Sequence, residues 1–429
     1  MNEFKEIGLS DKLLRNLEVM NITEPTEIQR KTIPLTLQGK DVIGGSSTGS
    51  GKTLAFAASI VENMQNTSET KALVLTPTRE LAEQVSEAIK DISRDHPVNV
   101  LSIYGGVSIE NQINKIPKAN IIVGTPGRVL DHLNRKTLDL SNVEHVVLDE
   151  VDKMFEMGFQ EDVEKIIKPC PKNRQTLMFS ATLSDELDYL SRKYSKNPEK
   201  IQAESLVDPS KLRQIFYDVQ PKLKFSLLVH LLKQEESGGV MVFCNTRKNV
   251  EFIANNLELN GINTQPIHGG LSQNKRKEAL DNFHKGKVKV LVCTDVAARG
   301  LDIRGVTHIY NQDSPPNSKE YIHRIGRTAR AGEEGIAINI VSQRDYPNFR
   351  EVKADETLNI EQVKLPYIPQ AKMKFPNQDK KKGFRGRDRE NNKGRDNRRN
   401  KGEGRNGNKN NFGRKKFNRG GGNRRFGRR

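Results

Sequence analysis

Residues 41–61 read DVIGGSSTGSGKTLAFAASIV: an apolar run, a glycine- and serine-rich turn, then a helix-like stretch. The run at 41–44 is short and β-branched, as expected of a strand buried on both faces. Past the turn, Leu54, Ala57, Ala58 and Val61 fall on one helical face. Glycines let backbone N–H groups turn toward phosphate oxygens at the positive end of a helix. The candidate phosphate-cradling residues are Ser47, Thr48, Gly49, Ser50, Gly51, Lys52 and Thr53. Lys52 would reach the β and γ phosphates, and the Thr53 hydroxyl would ligate Mg²⁺. The strict spacing fails at its first glycine, where Ser46 stands. An empty strand–turn–helix connection is therefore the competing reading.

The same strand–turn–helix pattern recurs along the chain. Short apolar runs occur at 41–44, 72–75, 100–104, 121–123, 146–148 and 176–179, and again at 240–243, 288–293, 308–310 and 336–341. Near-continuous apolar strands alternating with helices predict an α/β fold with buried parallel sheets. Ligands in such folds sit outside the carboxyl ends of the strands. The polar, proline-containing segment 204–211 (ESLVDPSK) separates the two strand series and is the candidate linker. The expected organisation is a first domain at 1–205, a linker at 206–212, a second domain at 213–366 and a tail at 367–429.

Charge separates the tail from the body. The 429 residues hold 71 Lys and Arg against 54 Asp and Glu, a net charge of +17. Residues 380–429 carry 21 of the former and 4 of the latter, so the remainder is balanced at 50 each. From Lys380 onward no aliphatic residue occurs, a composition that cannot bury a core and predicts disorder. Phe384, Phe412, Phe417 and Phe426 are interspersed with Arg and Gly there, suiting an arm for a polyanion. Three dispersed cysteines show no metal or disulfide spacing, which favours a reducing compartment. The N-terminus MNEFKEIGLS lacks the features of a signal peptide, and the apolar runs are too short to span a bilayer. A cytoplasmic location is expected.

The stretch VVLDEVDKMF, residues 146–155, ends an apolar run in three carboxylates within four positions. Taken alone it reads as a charged turn. Beside a phosphate loop it gains a second reading: nucleotide hydrolysis needs one group to hold hydrated Mg²⁺ and another to orient or deprotonate water. Asp149 suits the first role and Glu150 the second.

Read in order, further blocks resemble the DEAD-box ATP-dependent RNA helicases. They are TEPTEIQ at 23–29, STGSGKT at 47–53, PTREL at 77–81, GG at 105–106, TPGR at 125–128, DEVD at 149–152 and SAT at 180–182. The second half adds FCNT at 243–246, QNKR at 273–276, TDVAARGLD at 294–302 and HRIGRTAR at 323–330. The resemblance spans about residues 4–345. It implies two tandem RecA-like domains and use of ATP with Mg²⁺, the metal held by Thr53 and Asp149 partly through water. Gln29 is similar to the glutamine that reads the adenine edge, with Phe4 packed near it. Asp302 would meet the ribose. Asp152, Ser180, Thr182 and His323 resemble the residues that couple nucleotide state to RNA. Lys52, Asp149, Glu150, Arg327 and Arg330 resemble the catalytic set, the two arginines acting as fingers on the γ-phosphate. The family commonly has glycine and an aromatic where Asn21 and Ile22 stand, alanine at Val151 and glycine at Ala329.

For RNA, the resemblance assigns backbone contacts to Thr78, Arg79, Gly105, Gly106, Thr125, Gly127 and Arg128 in the first half, and to Arg276 and Thr294 in the second. Such contacts set register without reading sequence. The implied activity is local unwinding of short duplexes or remodelling of RNA–protein complexes by a monomer, in association with ribosomal or RNA-decay assemblies. An RNA clamp without turnover and a DNA helicase are the rival readings. The set Lys52, Glu150, Arg327 and Arg330 argues against the first, and the TEPTEIQ and HRIGRTAR blocks argue against the second.

Overall fold

The computed structural model describes residues 2–46, 49–64, 67, 69–180, 185–203, 212–235, 238–298, 303, 305–329 and 334–375. Linker residues 206–211, the tail from residue 376 onward, Ser47, Thr48, Thr182, Asp302 and Arg330 lie outside them. The described residues belong to one compact unit, Met1–Pro376.

Two seven-stranded sheets, parallel throughout, organise this unit. The first contains β1 Val42–Gly45, β2 Ala72–Leu75, β3 Val100–Ile103, β4 Ile121–Gly124, β5 His145–Asp149, β6 Gln175–Ser180 and β7 Glu199–Gln202, in the order β3-β4-β2-β5-β6-β1-β7. The second contains β8 Leu212–Asp218, β9 Gly239–Phe243, β10 Thr264–Ile267, β11 Val290–Cys293, β12 Val306–Asn311, β13 Gly335–Val341 and β14 Glu361–Gln362, in the order β10-β11-β9-β12-β13-β8-β14. The second order repeats the first strand for strand, so the two halves share one topology.

The apolar runs are near-continuous because both faces of each sheet are covered. Along β5, Val146 and Leu148 enter one core while Val147 enters the other. Full burial of each such side chain is worth about 1.5–3 kcal/mol. Helices are started by local chemistry. The Thr78 hydroxyl accepts from Leu81 N–H at 3.3 Å to open the helix Arg79–Ile92, and Thr246 accepts from Asn249 N–H at 3.1 Å to open Arg247–Leu259.

Four strands, β7, β8, β10 and β14, have no counterpart among the runs read from sequence. Three of them are short, and Glu-Lys-Ile-Gln of β7 and Glu-Gln of β14 are mostly exposed at a sheet edge, so they carry no apolar signature. β8 begins at Leu212, inside the expected linker. The packed chain also runs past the expected boundary at 366. Ile368, Ala371 and Met373 pack against the second-half core, and asparagine side chains rather than a ladder satisfy the backbone there.

Candidate functional site

Strand register brings the first group of residues together. Gly45 of β1 is level with Ser180 of β6, and Asp149 of β5 pairs with Phe179 of β6. With strands about 4.8 Å apart, the phosphate loop and the acidic strand end flank β6 at about 10 Å.

Glycine is required in the loop at Gly51, whose φ is +88° and whose added Cβ would lie 2.2 Å from Gln29 Nε2. Gln29 is nearly buried. Its Nε2 donates to the Gly51 carbonyl at 3.0 Å, and its Oε1 accepts from Thr26 N–H at 2.9 Å. One further hydrogen and one further lone pair of the amide stay available to a base. Phe4 is wholly buried in the first-half core, where it anchors the N-terminal helix. Ser46 has ordinary backbone geometry, so a side chain is tolerated at the departure from the strict pattern. Its hydroxyl accepts from Ser50 Oγ at 2.9 Å, and its carbonyl accepts from Lys52 Nζ at 3.1 Å. Lys52 begins the helix Lys52–Glu62, with Thr53 beside it and Gly49 in left-handed backbone upstream.

Asp149 ends β5 and is 3% exposed. Burial pushes its carboxyl up to about 6, against the attraction of Lys52 and reinforced by Glu150. Asp149 Oδ1 and Asp152 Oδ2 are buried without a hydrogen-bond partner. Such orphaned carboxylate oxygens fit a site that receives a cation. Among the described residues no cluster of three His, Cys, Asp or Glu could hold a metal alone. An ion here would need water or phosphate in its shell. Glu150 takes left-handed backbone, φ 55° and ψ 54°, at the start of the helix Val151–Glu156. That conformation costs about 1–3 kcal/mol and turns the chain sharply between Asp149 and Asp152. Val151 is 1% exposed and packs in the core with Leu148 and Met154. Ser180 is fully buried, and its carbonyl accepts from Ser46 N–H at 2.9 Å.

The second half meets this group through the helix Ser318–Ile325. His323 Nδ1 contacts Lys153 Nζ, and Lys319 Nζ lies 2.9 Å from Glu156 Oε1. Arg327 follows that helix and is buried. Arg324, quoted in the HRIGRTAR block but given no role, proves to be a hub. Its Nε and Nη2 grip both Asp295 oxygens at 2.5 and 2.7 Å. Nη1 donates to Asn311 Oδ1 at 3.0 Å and to the Asp313 carbonyl at 2.6 Å, and Nη2 donates to Asn245 Oδ1 at 2.8 Å. All five guanidinium hydrogens are thus engaged. They tie the ends of β9, β11 and β12 to the helix that precedes Arg327.

A cleft of ≈ 440 Å³ collects Thr78, Arg79, Gly105, Thr125, Gly127, Arg128 and Arg276 from both halves. Gly106, with φ +85°, is where Arg79 lies closest: an added Cβ would be 2.1 Å from its Nη1. Arg128 is braced by Gln112 Oε1 at 2.8 Å. Arg276 Nη1 is 2.9 Å from Glu80 Oε1 across the halves, an ion-pair distance without hydrogen-bond alignment. Thr294 lies at the end of β11, its carbonyl accepting from Ala297 N–H, and Ala297 lines the cleft. Sequence reading missed Met157, Phe159, Gly269, Leu271 and Val296 in the lining. Gly269–Gly270 lies under Arg247 much as Gly105–Gly106 lies under Arg79, and the equivalence of the two sheet orders was the signal that would have located it.

The profile of the DEAD/DEAH box helicase family matches residues 26–190, and that of the helicase conserved C-terminal domain matches 223–332. The chain is 46% identical over 376 residues to a DEAD-box ATP-dependent RNA helicase CshA of Geobacillus kaustophilus, covering 86% of this chain and 80% of that one. Among solved structures it is similar to S. cerevisiae Dbp5 bound to RNA and ADP BeF3, with a TM-score of 0.77, 30% identity, and coverage of 84% of this chain and 95% of that one. A DEAD box protein from the hyperthermophile Methanococcus jannaschii matches with a TM-score of 0.52 at 39% identity, covering 84% and 99%.

Proposed function

The chain belongs to the DEAD-box ATP-dependent RNA helicases, and from that premise we propose how its residues divide the work. It is an RNA-stimulated ATPase that unwinds or remodels RNA at the cost of ATP. The proposed division places triphosphate in the loop at 45–53, where phosphate oxygens replace the Ser46 carbonyl as partner of Lys52. Mg²⁺, when bound, would supply charge neutralisation between phosphate groups, held by Thr53 and Asp149. Glu150, pointed by its left-handed backbone, orients the attacking water. Arg327 and Arg330 stabilise charge developing on the γ-phosphate, a role worth about 10³–10⁵ in rate. Gln29 reads the adenine edge and Asp302 the ribose. Asp152, Ser180, Thr182 and His323 relay nucleotide state.

The observation that carries this reading is the buried, orphaned Asp149 carboxylate beside Lys52, with His323 of the second half reaching Lys153 four residues along. Hydrolysis then depends on the two halves meeting. The better overlay on an RNA- and nucleotide-bound relative supports taking the Lys153–His323, Glu156–Lys319 and Glu80–Arg276 contacts as those of a closed state. Single-stranded RNA is assigned to the cleft, with Thr78, Arg79, Gly105, Gly106, Thr125, Gly127, Arg128, Arg276 and Thr294 on its backbone. The basic tail is proposed to hold RNA nearby. A cytoplasmic monomer working with ribosomal or RNA-decay assemblies is the context proposed. Among the described residues no helix is long and apolar enough to cross a membrane.

The test is ATP turnover with RNA, with single-stranded DNA and with neither, in the parent chain and in Glu150→Gln. Strong stimulation by RNA alone and loss of turnover by about 10²-fold or more in the variant are expected. Equal stimulation by DNA would refute the RNA assignment, and full activity of the variant would refute the role of Glu150.

A further inference from the structure

Beyond β14 the chain does not leave the molecule. It crosses the second-half core as an extended strap and is clasped by two asparagines one turn apart on the helix Arg247–Leu259 and just past its end. Lys372 N–H donates to Asn260 Oδ1 at 3.1 Å, and Asn260 Nδ2 returns a bond to the Lys372 carbonyl at 2.8 Å. Lys374 exchanges the same pair with Asn256 at 2.6 and 3.2 Å. Ser226 Oγ accepts from Ala371 N–H at 3.2 Å. Each asparagine amide thus reads one peptide of the strap, which fixes both its register and its direction. Rising residue number in the strap, 372 to 375, runs against falling number in the helix, 260 to 252. The strap therefore climbs toward the helix N-terminus, where Arg247 lies over Gly269 at the edge of the cleft.

At the top of the climb, Phe375 stands 66% exposed, its ring 5.7 Å from that of Phe252 and inclined by 30°. Phe252 in turn meets buried Phe225 at 6.4 Å, so the core holds one side of the Phe375 ring and leaves the other open. Phe252 is about one and a half helical turns from Arg247. Arg247, Lys248, Lys372 and Lys374 are all exposed; Lys248 lies one helical turn before Phe252, and the two strap lysines precede Phe375 at alternate positions. The nearby acid, Glu251, is turned onto His268, with Oε1 2.6 Å from Nε2. From Val363 to Gln378 the strap contains no Asp or Glu, and the chain continues into the segment bearing 21 Lys and Arg.

We propose that Phe375 and Phe252, framed by Arg247, Lys248, Lys372 and Lys374, form a stacking platform for single-stranded RNA emerging from the cleft. The inference rests on the assignment of RNA to that cleft. Tyr367, the other aromatic of the described strap, lies eight residues earlier, before the asparagine clasp, and lysines at alternate positions suit a backbone tracked alongside stacked bases. The platform extends the bound strand by a few nucleotides and hands it toward the tail. Sequence preference is not expected, because every base offers a π-face.

The test measures binding by the full chain, with a non-hydrolysable ATP analogue, of labelled RNAs of about 8 and about 25 nucleotides, bracketing a single-strand site. Phe375→Ala should weaken the long RNA about tenfold and leave the short one as in the parent, and Phe375→Trp should restore the long RNA. Lys372→Ala with Lys374→Ala should lower the salt slope for the long RNA alone by about 1.4, at roughly 0.7 per phosphate. Unchanged affinity for the long RNA, or equal weakening of both lengths, would overturn the platform. A parent chain that binds neither RNA would overturn the cleft assignment itself, and the platform with it.

Discussion

Left-handed backbone at a residue other than glycine marks places where the fold imposes a cost. Asn21, Glu150 and Ala329 are three such positions, with φ of 56°, 55° and 52°. Asn21 closes the helix Asp11–Val19: its N–H and that of Ile22 bond back to the Glu18 and Leu17 carbonyls at 3.0 and 2.9 Å. Asparagine tolerates this conformation, so its use in place of the family's glycine is cheap. Alanine has no such tolerance. Ala329→Gly should therefore stabilise the protein by about 0.5–1 kcal/mol, the relief of strain exceeding the added freedom of the unfolded chain. Asn21→Gly should change stability by less. Denaturant midpoints of the two variants check this, and a destabilised Ala329→Gly would show that the methyl group packs usefully. At Glu150 the same conformation turns the chain between Asp149 and Asp152, where the proposed role of its carboxylate would account for the retained strain.

At the scale of elements, β5 has a functional end and a structural end. His145 opens the strand about 13 Å from Asp149 and shares a hydrogen bond of 2.9 Å with Gln175 on β6. Burial lowers its pKa below the usual 6.5. As pH falls below 6.5, the unfolded chain takes up a proton that the folded strand resists, so stability drops on acidification. Above 6.5 the contribution is complete. His145→Gln should flatten the loss of melting temperature between pH 7.5 and 5.5. It should not abolish it, since buried His132, bonded to Thr137 and Gln112, is shifted in the same direction. An unaltered slope in the variant would place the titration elsewhere.

At the scale of the molecule, the contacts Lys153–His323, Glu156–Lys319 and Glu80–Arg276 between the halves all involve ionisable side chains. Lys319 and Glu156 are partly exposed at 2.9 Å, and such a pair is worth about 0–1 kcal/mol. Small bias suits a contact that must open and close with each turnover. Lys319→Glu should raise the RNA concentration needed for half-maximal ATPase stimulation by about two- to fivefold. Adding Glu156→Lys should restore it. Failure of the reversed pair to restore stimulation would show that Lys319 acts through another partner. The repeated strand order explains why one molecule presents two similar loop sets to one cleft: β2, β3 and β4 supply one, and β10 and β11 the other.

The sequence by itself determined the fold class and, through its ordered blocks, the family; the roles proposed for single residues rest on that resemblance. Buried parallel strands leave continuous apolar runs, and loops that handle phosphate need glycine, lysine and hydroxyls at close spacing. Lys52 became a candidate for that reason, Asp149 because it ends an apolar run, and Arg276 only through the family resemblance. Edge strands such as β7 and β14 were not, because exposure on a sheet edge removes the apolar pattern. The five-bond hub at Arg324 was hidden as well, since its partners come from the ends of three separate strands. Only the tertiary structure decided that Ser46 stitches the loop, that Phe4 is a core anchor and that the strap runs toward the N-terminal end of the helix Arg247–Leu259. The first two depend on how the loop closes over the end of β6 and how the first-half core fills, and the strap on pairs such as Asn260 and Lys372, 112 positions apart, which no local spacing encodes.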